Sequence, residues 1–95
     1  MTHAHTVYKI PHGKLVKITL EYDPQTNLIQ KVNITGDFFI HPEDGLELLE
    51  TSIQDTFFSH DVIIKRLDET VTAHHLTLIG VTTEGLTEGI LRCRA

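Results

Sequence analysis

A short turn holds the residue of this 95-residue sequence that is best suited to binding chemistry. In Pro11-His12-Gly13-Lys14, proline fixes φ and glycine permits a positive φ. A lysine after a flexible glycine, at the mouth of a hairpin, reaches a phosphate as a point charge. The turn therefore predicts a contact with a small anion through Lys14, although a solvated turn lysine has the same local sequence.

Two adjacent aromatics form the second segment of interest. In an extended chain, successive side chains point to opposite sides, so Phe38 and Phe39 cannot both face one core. If one of them fills the core, the other is exposed beside Ile40 and becomes a candidate partner contact. The alternative is a kinked backbone that buries both rings.

The usual catalytic and metal-binding constellations are absent from the sequence. It contains no glycine-rich phosphate loop, no His-Glu-x-x-His and no Gly-x-Ser-x-Gly. Cys93 falls at the end of a predicted helix, where the helix dipole disfavours a thiolate. None of the seven histidines has an i, i+4 histidine partner, and the adjacent His74 and His75 point apart in any regular element. We therefore expect no catalytic residue and no metal ligand.

Composition limits the class of protein further. The length predicts a single domain over residues 1–95, and one cysteine excludes an internal disulfide or a thiolate metal cluster. The net charge is −5, and residues 37–64 carry seven acids without a Lys or Arg, which argues against a nucleic-acid module. No 18-residue apolar run and no secretion signal are present, so we expect a cytoplasmic protein without a membrane segment.

Alternating side chains predict three antiparallel strands in the first third of the chain. Residues 15–22 place four apolar side chains on one face, and residues 28–35 alternate again, with one break at Gln30. Residues 6–10 predict a shorter strand, and residues 1–5 a loose end. One face of this meander is apolar and requires a cover.

Three amphipathic helices are predicted to supply that cover. The first has His41 as its N-cap and Pro42 at its first position, buries Leu46, Leu49, Ile53 and Phe57, and ends near Thr56. The second starts at Ser59-His60-Asp61. The third starts at Thr82 and carries Arg92 and Arg94 in its last turn; between them, Leu76, Leu78 and Ile79 are predicted to be buried. The fold class is therefore α+β, a three-stranded antiparallel sheet followed by helices packed on one face.

Two motifs carry a family resemblance. Lys9-Ile10-Pro11-His12-Gly13-Lys14-Leu15-Val16-Lys17 and Gly36-Asp37-Phe38-Phe39-Ile40-His41-Pro42-Glu43-Asp44 resemble the C-terminal accessory domain of lipoate–protein ligases. The version that occurs as a separate small subunit of two-part ligases is the most similar. The resemblance covers most of the chain and extends to Ile79-Gly80-Val81-Thr82; His12 departs from it, because a glycine is expected there.

The resemblance implies a SufE/NifU-like α+β fold and an accessory function. A large catalytic subunit would use ATP, Mg²⁺ and lipoate to make lipoyl-AMP and then transfer the lipoyl group to acceptor proteins, such as 2-oxoacid dehydrogenases and the glycine cleavage H protein. This chain would bind none of these cofactors alone. The resemblance also implies that four residues face the adenylate, Lys14, Lys9, Lys17 and Gly13. It implies that Phe38, Phe39 and Ile40 contact the partner.

Two other functions remain open at this point. A sulfur-transfer or iron–sulfur assembly protein of the same fold class would need an exposed, reactive cysteine, for which Cys93 is the candidate. A stand-alone interaction module would need no ligase subunit.

Overall fold

The computed structural model describes residues 1–93. Over these residues the chain forms, in order, β1 (Thr2–Lys9), β2 (Leu15–Asp23), β3 (Leu28–Gly36), β4 (Phe39–His41), α1 (Gly45–Ser52), β5 (Thr56–Phe57), α2 (His60–Ala73), β6 (Thr77–Ile79) and α3 (Thr83–Arg92). This order confirms the predicted α+β class, with the long strands first and the helices after them.

The main sheet is antiparallel in the order β1-β2-β3-β5. It contains the predicted meander and adds a short strand, β5, beside β3. The expected loose end at residues 1–5 is wrong, because β1 begins at Thr2 and pairs with β2 from Thr2–Tyr22 to Lys9–Leu15. Its even-numbered side chains are half-buried and its odd-numbered ones exposed, so the histidines of this segment lie on the solvent face.

The break at Gln30 is a β-bulge. Glu21 lies opposite Lys31, but Tyr22 lies opposite Ile29, so Gln30 is the extra residue of β3. The extra residue allows Ile29 and Val32, which are three positions apart, to face the same core.

The helices cover one face of the sheet. Each contributes two apolar side chains that are fully buried: Leu49 and Ile53 from α1 and the turn after it, Ile63 and Leu67 from α2, and Leu86 and Ile90 from α3. They form one core with Val16, Ile18, Leu20 and Ile34 of the central strands. The opposite face of the sheet is left to solvent and is called the open face below. No helix within residues 1–93 is long and apolar enough to cross a membrane.

The predicted bounds of the first helix are wrong at both ends. It begins at Gly45 with Asp44 as the N-cap residue, and it ends at Ser52. His41 cannot be the N-cap because β4 pairs with β6 over residues 39–41, which leaves residues 42–44 to turn the chain. Gly45 is buried at the turn, where a Cβ would lie 2.5 Å from the Ile40 Cγ2 atom.

Phe57 is also misassigned by the helical pattern. It lies on β5 with 55% of its surface exposed, whereas Phe58 is buried and packs edge-to-face on Tyr22, with 5.2 Å between ring centroids. The chain reaches β5 through Asp55, which has a φ of 57° and donates its N–H to the Ile29 carbonyl at 2.7 Å. Pairing with β3 therefore replaces the last helical turn.

The starts of the other two helices are confirmed. Ser59 and Thr82 are the N-cap residues of α2 and α3, and the Thr82 hydroxyl accepts a hydrogen bond from Gly85 N–H at 2.9 Å. The Arg92 guanidinium lies 4.6 Å from the centre of the Tyr8 ring, while Arg94 is outside the described residues. Leu76 is buried as expected, whereas Leu78 is only half-buried and Ile79 on β6 is 52% exposed.

Candidate functional site

The turn at residues 10–14 is a closed loop between β1 and β2. Ile10 N–H donates to the Lys14 carbonyl at 3.1 Å, and Gly13 N–H donates to the Ile10 carbonyl at 2.8 Å. His12 has a φ of 60°, in the left-handed region that glycine adopts freely and histidine tolerates. The loop therefore accepts the histidine that stands where the resemblance predicts glycine.

Three segments distant in sequence meet at this loop. Lys14 N–H donates to the Gly80 carbonyl at 2.9 Å, and a Cβ on Gly13 would lie 2.9 Å from that same oxygen. Gly80 has a φ of 90°, and a Cβ there would lie 2.8 Å from Lys14 Cγ and 3.4 Å from Phe38 Cβ. A Cβ on Gly36 would lie 2.5 Å from the Leu15 carbonyl. We call the segments 10–15, 36–39 and 79–80 together the loop junction; its glycines allow the three backbones to approach closely.

Lys14 is the exposed cation of the loop junction. Its backbone is fixed by Gly80, but its ammonium makes no hydrogen bond or ion pair with another residue of the described chain. Lys9 differs, because its Nζ donates to the Ile10 carbonyl at 3.0 Å and thereby braces the loop. Of the two lysines that flank the loop, Lys14 is thus the one whose charge is available to a ligand.

Lys9 and Lys17 lie on the open face beside the loop. In the β1–β2 register, Lys9 is opposite Leu15 and Lys17 is opposite Val7. All four side chains point outward, and Val7 and Leu15 are 51% and 44% exposed. Diagonal neighbours in an antiparallel pair lie about 7–8 Å apart, so two cations and two apolar groups alternate in one patch. The structure therefore brings the three predicted lysines to the same end of the sheet.

The two phenylalanines are divided between the core and the solvent. Phe38 is half-buried and packs on the core, as does Ile40, whereas Phe39 is 67% exposed. Phe39 pairs with the exposed Ile79 in the β4–β6 ribbon, and Ile79 directly precedes Gly80. The sequence did not indicate Ile79, because its apolar neighbours suggested a buried run.

The comparison with protein families decides the assignment. The model of the family described as "Bacterial lipoate protein ligase C-terminus" matches residues 5–90. The chain belongs to this family. It is therefore an accessory domain of the lipoate protein ligase type, as its loop and Gly-Asp-Phe-Phe motifs suggested. No curated protein sequence matches the chain significantly.

A solved structure agrees with the family at the level of the fold. It comes from a structural analysis of an archaeal lipoylation system, a bi-partite lipoate protein ligase and its E2 lipoyl domain from Thermoplasma acidophilum. The match has a TM-score of 0.72 at 24% identity, and it covers 94% of this chain and 97% of that one. The lipoate protein ligase C-terminal fold thus extends over nearly the whole chain.

Cys93 lacks the chemistry of a nucleophile in this family member. Its side chain is 5% exposed, and its Sγ lies 3.8 Å from the carbonyls of Ile18 and Gly89. Burial raises the pKa of the thiol to about 11, so that it is protonated at neutral pH. A sulfur-transfer function, which needs an exposed thiolate, is therefore not favoured.

One cluster of metal-ligating residue types was missed by the sequence pattern. His60, at the start of α2, has its Nε2 atom 2.9 Å from a carboxylate oxygen of Glu84 and 4.0 Å from one of Glu88, both on α3. Its Nδ1 atom is 3.1 Å from an Asp61 carboxylate oxygen. The Glu84 carboxylate first, and then that of Asp61, raise the pKa of His60. The i, i+4 spacing of the glutamates was the available signal, but their histidine is 24 residues away from Glu84.

Proposed function

We propose that this chain is the accessory subunit of a two-part lipoate protein ligase. Together with a large catalytic subunit, it would promote the reaction of lipoate with ATP, in the presence of Mg²⁺, to give lipoyl-AMP and pyrophosphate. The catalytic subunit would then transfer the lipoyl group to a lysine of an acceptor domain. This chain would supply a positive charge and would close over the active site of the catalytic subunit, rather than contribute a nucleophile or a base.

The observation that carries the proposal is the position of Lys14. Its amide is fixed on Gly80 at 2.9 Å, while its ammonium is exposed and lacks a partner within residues 1–93. A fixed backbone with a free ammonium suits a contact with a phosphate that arrives from outside the chain. When a partner surface excludes water, the attraction between ammonium and phosphate becomes stronger because the local dielectric constant falls.

The apolar pair beside Lys14 supports docking against a catalytic subunit. Phe39 and Ile79 expose 67% and 52% of their surfaces on neighbouring strands, and Ile79 is adjacent to the residue that holds Lys14. Exposed aromatic and aliphatic side chains at one point are typical of the centre of a protein interface. Docking there would place Lys14 at the edge of the contact.

The structural neighbour supports a separate subunit. The archaeal system is described as a bi-partite lipoate protein ligase, and the matched chain is almost the same length as this one, since coverage is 94% and 97%. We extend that arrangement to this chain. The acceptors we propose are lipoyl domains of 2-oxoacid dehydrogenases and the glycine cleavage H protein, and the proposed location is the cytoplasm, where ATP is available.

Reconstitution of the adenylation step tests this function. The chain is mixed with a large ligase subunit, and lipoate-dependent pyrophosphate release is measured. We expect Lys14→Ala to lower the rate about ten- to hundredfold, because a charge-assisted hydrogen bond contributes about 1.5–3 kcal/mol. Lys65→Ala is the matched control, since Lys65 is exposed on α2 outside the loop junction.

Two results would contradict the proposal. Full adenylation activity in a folded Lys14→Ala variant would remove the phosphate contact. Equal rates with and without this chain would remove the accessory function itself. Circular dichroism of each variant checks that the fold is retained.

A further inference from the structure

A cluster of polar side chains outside the loop junction lies at the contact between α2 and α3. We propose that His60, Glu84 and Glu88, called the His60 cluster, bind a first-row divalent metal ion such as Zn²⁺, and that the ion clamps the start of α2 to α3. This inference does not depend on the ligase function.

The ligand atoms are already gathered. One nitrogen from His60 and one oxygen from each glutamate all lie within 4.8 Å of one another. Ligands that share a metal at about 2.0–2.2 Å are roughly 3–4 Å apart. The His60 Nε2–Glu84 distance of 2.9 Å is near that range, and the 4.0 Å distance to Glu88 is within it. The i, i+4 spacing of Glu84 and Glu88 places both carboxylates on one side of α3.

The orientation of the imidazole favours a cation between the ligands. The Asp61 carboxylate lies 3.1 Å from Nδ1, and it accepts the proton of that nitrogen in the tautomer that leaves Nε2 unprotonated. The Nε2 lone pair of the neutral ring is then directed at the Glu84 carboxylate, and two acceptors at 2.9 Å repel each other unless a cation lies between them. A proton or a metal ion fulfils this condition. A carboxylate behind the second nitrogen of a metal-binding histidine is the usual supporting arrangement.

The charge around the cluster also favours a dication. Asp61, Glu84 and Glu88 bring three negative charges to one imidazole. Every ion pair in the described part of the chain involves a histidine. None of these three carboxylates therefore has a Lys or Arg nitrogen within 4 Å among the described residues. A bound dication would neutralise most of this charge.

The donor set indicates the class of metal. One imidazole nitrogen and two carboxylate oxygens suit Zn²⁺ or Co²⁺, whereas Mg²⁺ prefers oxygen ligands alone and keeps its waters. The side chains of His60 and Glu88 are 40% and 39% exposed, so water is available as the remaining ligand. An ion held by groups from both helices stabilises the native state, in which those groups meet, over the unfolded chain.

The test uses the full, untagged 95-residue chain. Co²⁺ is titrated at pH 7.5 while its visible absorption is recorded, and Zn²⁺ is then added as a competitor. We expect one equivalent of Co²⁺ to bind, with the visible absorption of an ion coordinated by protein ligands, and to be displaced by Zn²⁺. The Tm should rise roughly 5–10 °C for each tenfold increase of free Zn²⁺ above its Kd, whereas Mg²⁺ should leave it unchanged.

Three variants separate the clamp from other sites. His60→Asn and Glu84→Gln should abolish both the Co²⁺ spectrum and the Tm shift. His12→Asn, which changes an exposed histidine of the turn, should retain both. The proposal is overturned if the wild-type chain shows no metal-dependent Tm shift, which would leave a simple His60–Glu84 ion pair. It is also overturned if the His60→Asn variant keeps the full shift, which would place the metal on the other histidines.

Discussion

A single carboxylate closes the edge of the central strands. Beyond its two-residue pairing with β5, strand β3 has a free edge, and at that edge Ile34 N–H donates to the Glu50 carboxylate of α1 at 2.7 Å. An unpaired strand edge is a template for pairing with other chains, so this contact also protects the sheet. Burial is the main cause that raises the pKa of Glu50, and Glu47 adds to it, while the Ile34 hydrogen bond acts against it.

This shift predicts a pH dependence of stability. Because the pKa of Glu50 is higher in the folded chain than in the unfolded one, the folded chain binds the proton more readily. The free energy of unfolding should therefore fall as the pH rises from the ordinary glutamate pKa through the raised one. Glu50→Gln keeps an acceptor for the Ile34 N–H. It should remove the part of the decrease in the free energy of unfolding that comes from Glu50. Urea unfolding from pH 4 to 7 measures it.

A second variant, Glu50→Ala, separates the effect of the Glu50 charge on stability from the effect of its hydrogen bond. Glu50→Ala leaves the Ile34 N–H without its acceptor and should destabilise the chain by about 1–3 kcal/mol at all of these pH values. Parallel pH profiles of the wild type and Glu50→Gln would contradict the assignment of the pH dependence to Glu50.

At the scale of an element, the glycines of α3 set how closely the helix approaches the sheet. A Cβ on Gly85 would lie 2.8 Å from both Cδ1 and Cγ2 of Ile10, and one on Gly89 would lie 2.7 Å from Ile18 Cδ1. Each glycine costs the helix about 1 kcal/mol relative to alanine. The cost is offset because the close approach lets α3 pack directly behind Ile10, the residue that closes the loop at residues 10–14.

The two glycines should respond differently to alanine. At Gly85, several atoms of Ile10 block the new methyl group, so the overpacking penalty of about 1–3 kcal/mol should exceed the gain in helix propensity of about 1 kcal/mol. The net loss should be up to about 2 kcal/mol. At Gly89, the terminal methyl of Ile18 is the nearest obstacle and can rotate, so the loss should be smaller. Chemical unfolding of both variants checks the order; greater destabilisation by Gly89→Ala would refute it.

At the scale of the molecule, a cation and an apolar pair lie together at the loop junction, and most of the acidic residues lie on the helices. The loop junction combines exposed Lys14 with the Phe39–Ile79 pair, whereas the six acidic residues between 43 and 61 lie on α1, on α2 and in the turns beside α1. A catalytic subunit that binds an adenylate would be attracted to the basic end and repelled by the acidic segment if its own rim is negative. In the proposed complex, charge as well as apolar contact would set the orientation of docking.

Removal of the apolar pair tests the docking surface. Phe39→Ala and Ile79→Ala should each weaken binding of the large ligase subunit at least about tenfold, because truncation of a central contact costs roughly 1–2 kcal/mol or more. Their effect on stability should be within about 0.5 kcal/mol, since both side chains are exposed. Calorimetric titration measures the affinity.

Phe57→Ala provides the control for this experiment. Phe57 is similarly exposed, at 55%, but lies on β5 at the other side of β3. It should bind the large subunit as the wild type does. Equal losses in Phe39→Ala and Phe57→Ala would show that the docking surface is not at the loop junction.

Local patterns in the sequence determined much of the architecture. Alternation predicted β2 and β3, and α2 and α3 begin at the N-cap residues that the sequence indicated, Ser59 and Thr82. Side-chain direction repeats every two residues in a strand and every 3.6 residues in a helix, so burial on one face produces a periodic spacing of apolar residues in the sequence. The same locality explains the errors at α1, where pairing of β4 with β6 and of β5 with β3 competes with helix formation.

The turn around Lys14 and the motif with adjacent phenylalanines were visible in the sequence, and they carried most of the family resemblance that the comparison confirmed. What the tertiary structure decided is which of these residues meet. It placed Gly80 under Lys14, Ile79 beside Phe39, and Glu84 against His60, over separations of 24 to 66 residues. Such contacts depend on how strands and helices pack across the chain, and no local periodicity encodes that packing. The sequence therefore specified the chemistry of Lys14, and the fold specified the surface around it.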